Sequence, residues 1–143
     1  GTGYAAGRTR RYEGTITRGW TAWVYHPDSG IQRIGLVDQE HTRLNGSRIS
    51  EIAALNGAGR AVGTSNRYVA SPDTQVGVSA FYFNGSESVK IGMADAEHTR
   101  ADQYREVDSL ALTEGGIASG RSRRFVGTAA RGRTAQTTSP PTT

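Results

Sequence analysis

A ten-residue pattern that occurs three times constrains this chain more than any other feature. It reads G-x-A-x-G-x-S/T-x-R-Y/F. The copies are Gly3-Tyr-Ala-Ala-Gly-Arg-Thr-Arg-Arg-Tyr12, Gly59-Arg-Ala-Val-Gly-Thr-Ser-Asn-Arg-Tyr68 and Gly116-Ile-Ala-Ser-Gly-Arg-Ser-Arg-Arg-Phe125, with starts 56 and 57 residues apart. Self-similarity at such a period is the signature of one supersecondary unit stacked on itself. Within each copy the residues alternate, which predicts a strand. One face carries small residues (Ala61, Gly63, Ser65 in the second copy), so a backbone or a second sheet should approach closely there. Each small face ends in an arginine (Arg11, Arg67, Arg124), expected to serve as a structural contact between units.

The segments between fall into the same register. Gly19-Trp-Thr-Ala-Trp-Val-Tyr25 matches Gly77-Val-Ser-Ala-Phe-Tyr-Phe83, and each reads as a second strand. Turns follow at His26-Pro-Asp-Ser-Gly30 and Asn84-Gly-Ser86, by the chemistry of Pro, Asp, Asn and Gly. Short strands are expected at 31–36 and 89–93, and again at 49–55 and 107–112. Ile34-Gly-Leu-Val-Asp-Gln-Glu-His-Thr-Arg43 matches Ile91-Gly-Met-Ala-Asp-Ala-Glu-His-Thr-Arg100. Asn45-Gly46 breaks any helix in the first of these, so both are read as structured loops. Trp23, Tyr25, Phe81 and Phe83 recur in equivalent positions and are expected in the core.

The expected fold is therefore all-β: antiparallel four-stranded repeat units of about 57 residues, β-propeller-blade-like or β-solenoid-like. A single β-repeat domain should cover 1–135, as a partial unit 1–56, a full unit 57–113 and a partial unit 114–135. A Thr/Ser/Pro-rich tail, 136–143, reads as a disordered linker and a candidate for O-glycosylation.

Composition excludes several classes. There is no cysteine, so no disulfide framework. No apolar run is long enough for a membrane-spanning helix. Residues 1–114 hold 12 basic and 13 acidic residues, whereas 115–143 hold five arginines and no acid. The basic excess belongs to the C-terminal part and marks a solvated arginine surface in preference to a nucleic-acid site. Gly1 in place of Met reads as a processed or excised chain.

The repeated polar loops carry the strongest site candidates. Asp38, Glu40 and His41, with Asp95, Glu97 and His98, are suitable ligands for a divalent cation. Their spacing matches neither a calcium loop nor a two-histidine zinc pattern. Their recurrence favours a structural loop whose carboxylates pair with Arg43 and Arg100 or with Arg11, Arg67 and Arg124, because a joint recurs and a catalytic site usually occurs once. No catalytic residue and no cofactor is expected; neither a G-x-S-x-G elbow nor a phosphate loop is present. Trp20, whose counterpart is Val78, is a candidate ligand or interface residue.

Ile52-Ala-Ala-Leu-Asn-Gly-Ala-Gly-Arg-Ala-Val-Gly63, followed by Ser79-Ala-Phe-Tyr-Phe83 and Ile91-Gly-Met93, resembles the HAF-type repeat of bacterial extracellular proteins. The resemblance spans about residues 3–135. It implies a β-propeller-like scaffold in secreted or cell-surface proteins and brings no catalytic residue. The unit here is longer than the family's, because of the Asp-x-Glu-His-Thr-Arg segment. The expected function is a non-enzymatic extracellular structural repeat that self-assembles, by strand pairing between chains, into a filament or ring. The alternative is a lectin-like module that binds glycan.

Overall fold

A computed structural model describes residues 2–70 and 73–138. Ten strands follow one another: β1 (Ala5–Glu13), β2 (Ile16–His26), β3 (Gly30–Ile34), β4 (Arg48–Leu55), β5 (Ala61–Ala70), β6 (Asp73–Phe83), β7 (Ser88–Ile91), β8 (Val107–Leu112), β9 (Ala118–Val126) and β10 (Ala129–Thr138). Two single-turn 3₁₀ helices, Gln39–His41 and Ala96–His98, lie in the loops after β3 and β7. The chain is all-β and mostly antiparallel. One sheet runs β1-β2-β4-β5-β6-β7 with β3 also on β2, and a second runs β10-β9-β8; both are open.

β4, β5, β6 and β7 form a four-stranded antiparallel meander, each strand paired with the next. β4 does not pair with β3. It returns to β2, pairing in parallel through Gly19↔Arg48 and Trp20↔Ile49, and then pairs antiparallel with β5. The physical reason is Gly19. Its φ is +92°, and a Cβ there would sit 1.8 Å from the Arg48 carbonyl oxygen, so only glycine admits β4. Gly77 repeats the device with φ +90° and 1.7 Å to the Arg105 carbonyl, at the parallel bridge Gly77↔Arg105.

Residues 1–56 carry β1 to β4 and residues 57–113 carry β5 to β8; β1-β2-β3 is a three-stranded meander, and β4 opens the next one. The C-terminal strand runs past 135: Gln136, Thr137 and Thr138 pair with Gly120, Ser119 and Ala118. The start of the expected tail is therefore strand, and its remainder, 139–143, lies outside the described residues.

Two hydrophobic clusters sit on opposite sides of the junctions between copies. Ala22, Val24, Ile34 and Leu36 from the first copy pack with Ala61, Phe81 and Phe83 from the second. Val62 and Tyr82 pack with Ala118, flanked by Leu110 and Leu112. Consequently β5 is buried on both faces, and a Cβ on its Gly63 would meet the Glu51 carbonyl oxygen of β4 at 2.0 Å and the Phe81 ring at 2.8 Å. The expected aromatic core holds for Phe81 and Phe83 but not for their first-copy counterparts. Trp23 is half-buried, donating its ring N–H to Thr9 at 3.0 Å, and Tyr25 is exposed; both lie outside the two clusters.

Candidate functional site

The polar loops are built twice in the same way. In each, an aspartate in extended conformation opens a 3₁₀ turn that ends on a histidine. The histidine N–H donates to the aspartate carbonyl at 3.1 Å in both loops. Thr42 and Thr99 hydroxyls donate to the Asp38 and Asp95 carbonyls at 2.9 and 2.7 Å. Local bonding of this kind, from short polar side chains, holds a turn that propensity alone would not.

Each turn delivers its imidazole to the next copy. His41 Nδ1 donates to Asp38, and its Nε2 lies 2.7 Å from Ser79 Oγ on β6. His98 Nδ1 donates to Asp95 at 2.5 Å, and its Nε2 lies 2.7 Å from Thr134 Oγ1 on β10. The His98 bond also pulls the Asp95 carboxyl below the usual aspartate range. Nearby, the backbone N–H of Leu36 donates to Ser65, and that of Met93 to Ser122.

An Asp–His–Ser line is the proton relay of nucleophilic catalysis. Here it cannot serve that way in place, because a nucleophile must meet its substrate. Ser79 is 4% exposed and His41 1%, and neither lines the cavity of about 690 Å³. The arrangement is a buried clasp with each imidazole nitrogen committed. The same commitment bears on metal binding. Asp38, Glu40 and His41 bring potential ligand atoms within 4.8 Å of one another, as do Asp95, Glu97 and His98. A divalent cation would have to displace the clasp and, at Glu40, enter among three cations, so the donor set does not fit one.

Glu40 is the anionic centre of the first junction. Its carboxylate accepts from Arg67 Nε at 2.7 Å, Lys90 Nζ at 2.9 Å and Arg105 Nη1 at 3.4 Å. Partial burial acts to raise its pKa, but hydrogen bonds from Lys90 and Arg67 outweigh this and hold it at about 2. Arg67, itself buried, also donates to the carbonyls of Val76 at 2.9 Å and Gln103 at 2.8 Å. Glu97, at the equivalent point of the second junction, pairs with Arg124 at 2.5 Å.

The remaining candidates fall around these junctions. Arg43 stacks over Tyr68, 4.8 Å to the ring centre. Arg100 stacks over Tyr104 at 4.4 Å and grips Asp102 with two bonds of 2.8 and 2.7 Å. Tyr104 in turn meets Phe125 edge-on. Arg11 donates to the carbonyls of Arg18 and Gly46, at 2.7 and 3.1 Å, as Arg67 does at the matching positions. Trp20 lies between the guanidinium groups of Arg8 and Arg10, at 4.4 and 4.5 Å.

Four partners escaped the sequence reading: Ser79, Thr134, Lys90 and Arg105. The signal for the first two was present. Thr21, Ser79 and Thr134 occupy matching points of the second strand, and all three carry a hydroxyl. Compared with protein-family models, curated proteins and solved structures, the chain matches none.

Proposed function

We propose that the chain is a non-enzymatic structural protein whose copies of one β unit continue from molecule to molecule, giving a filament or, if the geometry closes, a ring. The observation that carries this reading is the state of the sheet edges. β5 is paired on both sides, by β4 and β6, whereas its counterpart β1 pairs with β2 alone. β10 likewise pairs with β9 alone. Unpaired edges recruit strands of other chains, and head-to-tail contacts of one kind make open or closed series. The β4-β5-β6-β7 meander supports a blade-like or solenoid-like unit of four strands, of which β1-β2-β3 and β8-β9-β10 each hold three. The resemblance to HAF-type repeats supports an extracellular or cell-surface setting in bacteria.

Negative-stain electron microscopy with light scattering on the full chain tests this. Regular fibres or rings are expected, with mass rising with concentration. A monomer at every concentration would overturn the reading. Glycan binding is the second reading, favoured by Trp20 at the rim of the cavity of about 690 Å³. It requires saturable binding on a glycan panel that Trp20→Ala removes.

A further inference from the structure

The three cations that close on Glu40 have counterparts one copy earlier, where no counterpart of Glu40 lies among the described residues. Arg67, Lys90 and Arg105 correspond to Arg11, Arg33 and Arg48. The three earlier arginines line a cavity of about 690 Å³, together with Thr21, the counterpart of Ser79. Arg48 Nε is buried without a hydrogen-bond partner. Asp38 is the acidic residue of the wall, and it is committed to His41. Burial lowers the Arg11 pKa, and repulsion from Arg48 and Arg33 lowers it further. Tyr12, next in sequence to Arg11, is 62% exposed, whereas Tyr68, which Arg43 of the first copy covers, is 7% exposed.

We propose that the cavity framed by Arg11, Arg33 and Arg48 is a binding site for a peptide segment of Asp-x-Glu-His type. Its glutamate enters among the three guanidinium groups as Glu40 enters its own pocket. Its histidine meets the Thr21 hydroxyl as His41 meets Ser79, and a following arginine covers Tyr12. The ligand is defined by a carboxylate and an imidazole on adjacent residues of a loop, not by anionic charge alone. The proposal is separate from strand pairing at the edges, although a second copy of the chain is one bearer of such a segment.

The test uses a fluorescent peptide of sequence GLVDQEHTRLNGS, which is residues 35–47, titrated against the full chain. Saturable one-to-one binding by anisotropy is expected. Replacing the peptide glutamate by glutamine should weaken it roughly tenfold, as should Arg33→Gln or Arg48→Gln in the protein. Lys90→Gln, in the pocket already filled, should leave it unchanged. The Arg11, Arg33 and Arg48 side-chain N–H signals in NMR should shift with the peptide and not with its glutamine form. Absence of saturation, or binding indifferent to both the peptide glutamate and Arg33, would overturn the site. Sedimentation then separates the sources. Self-association lost in Arg33→Gln/Arg48→Gln assigns the segment to a second copy, and peptide binding by a monomeric chain assigns it to another protein. Filaments that persist without peptide binding sink this site alone; peptide binding without filaments sinks the edge-pairing reading alone.

Discussion

Arg67, Lys90 and Arg105 gather around a carboxylate, whereas Arg11, Arg33 and Arg48, one copy earlier, gather around a cavity. The local sequence is nearly the same at both places, and so is the backbone. What differs is the neighbour. β5 has the loop of the first copy laid against it, and β1 has no equivalent loop among the described residues. The comparison shows that much of the charge in this chain is placed for contacts between copies. An arginine that stabilises one junction is, at the other, a desolvated cation repelled by two like charges.

The largest expected effect separates paired from unpaired glycines. Gly77→Ala puts a methyl into the Arg105 carbonyl at a positive φ, against backbone that cannot yield. We expect a loss of at least about 4 kcal/mol, measured by urea unfolding. Gly132 has the same φ, +90°, but open space around it. Gly132→Ala should lose only the left-handed backbone cost, about 1 kcal/mol. Equal losses would mean that strand β8's approach is not what Gly77 serves.

The next effect compares the two carboxylates. Glu40→Gln leaves Arg67, a buried cation, and its two neighbours without a counter-charge, and should cost about 3 kcal/mol. Glu97 faces one arginine and is half exposed. Glu97→Gln should cost less than about 1 kcal/mol. Thermal unfolding of the two variants side by side measures the difference, and parity would show that the three-cation cluster confers no extra stability.

Acid titration sharpens the same point. The folded-state pKa of Glu40 is depressed to about 2 from an ordinary 4.5. Its contribution to stability is therefore complete above the unfolded value and is lost as pH falls from about 4.5 toward 2. Asp102, held at about 2 chiefly by its hydrogen bond from Arg100, titrates in the same window. The informative quantity is the difference between wild type and Glu40→Gln, which should shrink across that window. A difference independent of pH would place the cost of the variant in packing and not in charge.

The parts of this architecture that repeat within the sequence were legible in it. Alternation with glycine at fixed offsets located β1, β2, β5, β6 and β9, and Asn45-Gly46 ruled out an α-helix after β3. The pairing was not legible. Whether the fourth strand joins β3 or β2 depends on which backbone Gly19 admits, and period-two patterning is silent on that. The clasp was half legible: Asp38 and His41 stand three residues apart, but Ser79 lies 38 residues on, reached only through the sheet register. The aromatic assignment failed at Tyr25 because equivalence in sequence is not equivalence of neighbours, and Tyr25 lies outside both clusters. Gln136 to Thr138 were read as tail since Ser, Thr and Pro composition hides a strand held by its partner's backbone.

The smallest effect is the one whose sign changes between the two junctions. Lys90 touches Glu40, so Lys90→Gln removes an attractive contact and should destabilise by about 0.5 kcal/mol. Arg33 is its counterpart, and it repels the Arg11 guanidinium across the cavity they both line. Arg33→Gln removes repulsion and should stabilise by a similar amount. Both effects should fade between low salt and 0.5 M salt, since the groups are partly exposed and screening reaches them. Such a gain on deleting a native side chain is the mark of a group held for binding rather than folding, because sites for charged ligands carry their repulsion until the ligand arrives. If Arg33→Gln destabilises in low salt as Lys90→Gln does, the cavity already contains the compensation it needs. The two junctions would then differ in occupant but not in energy.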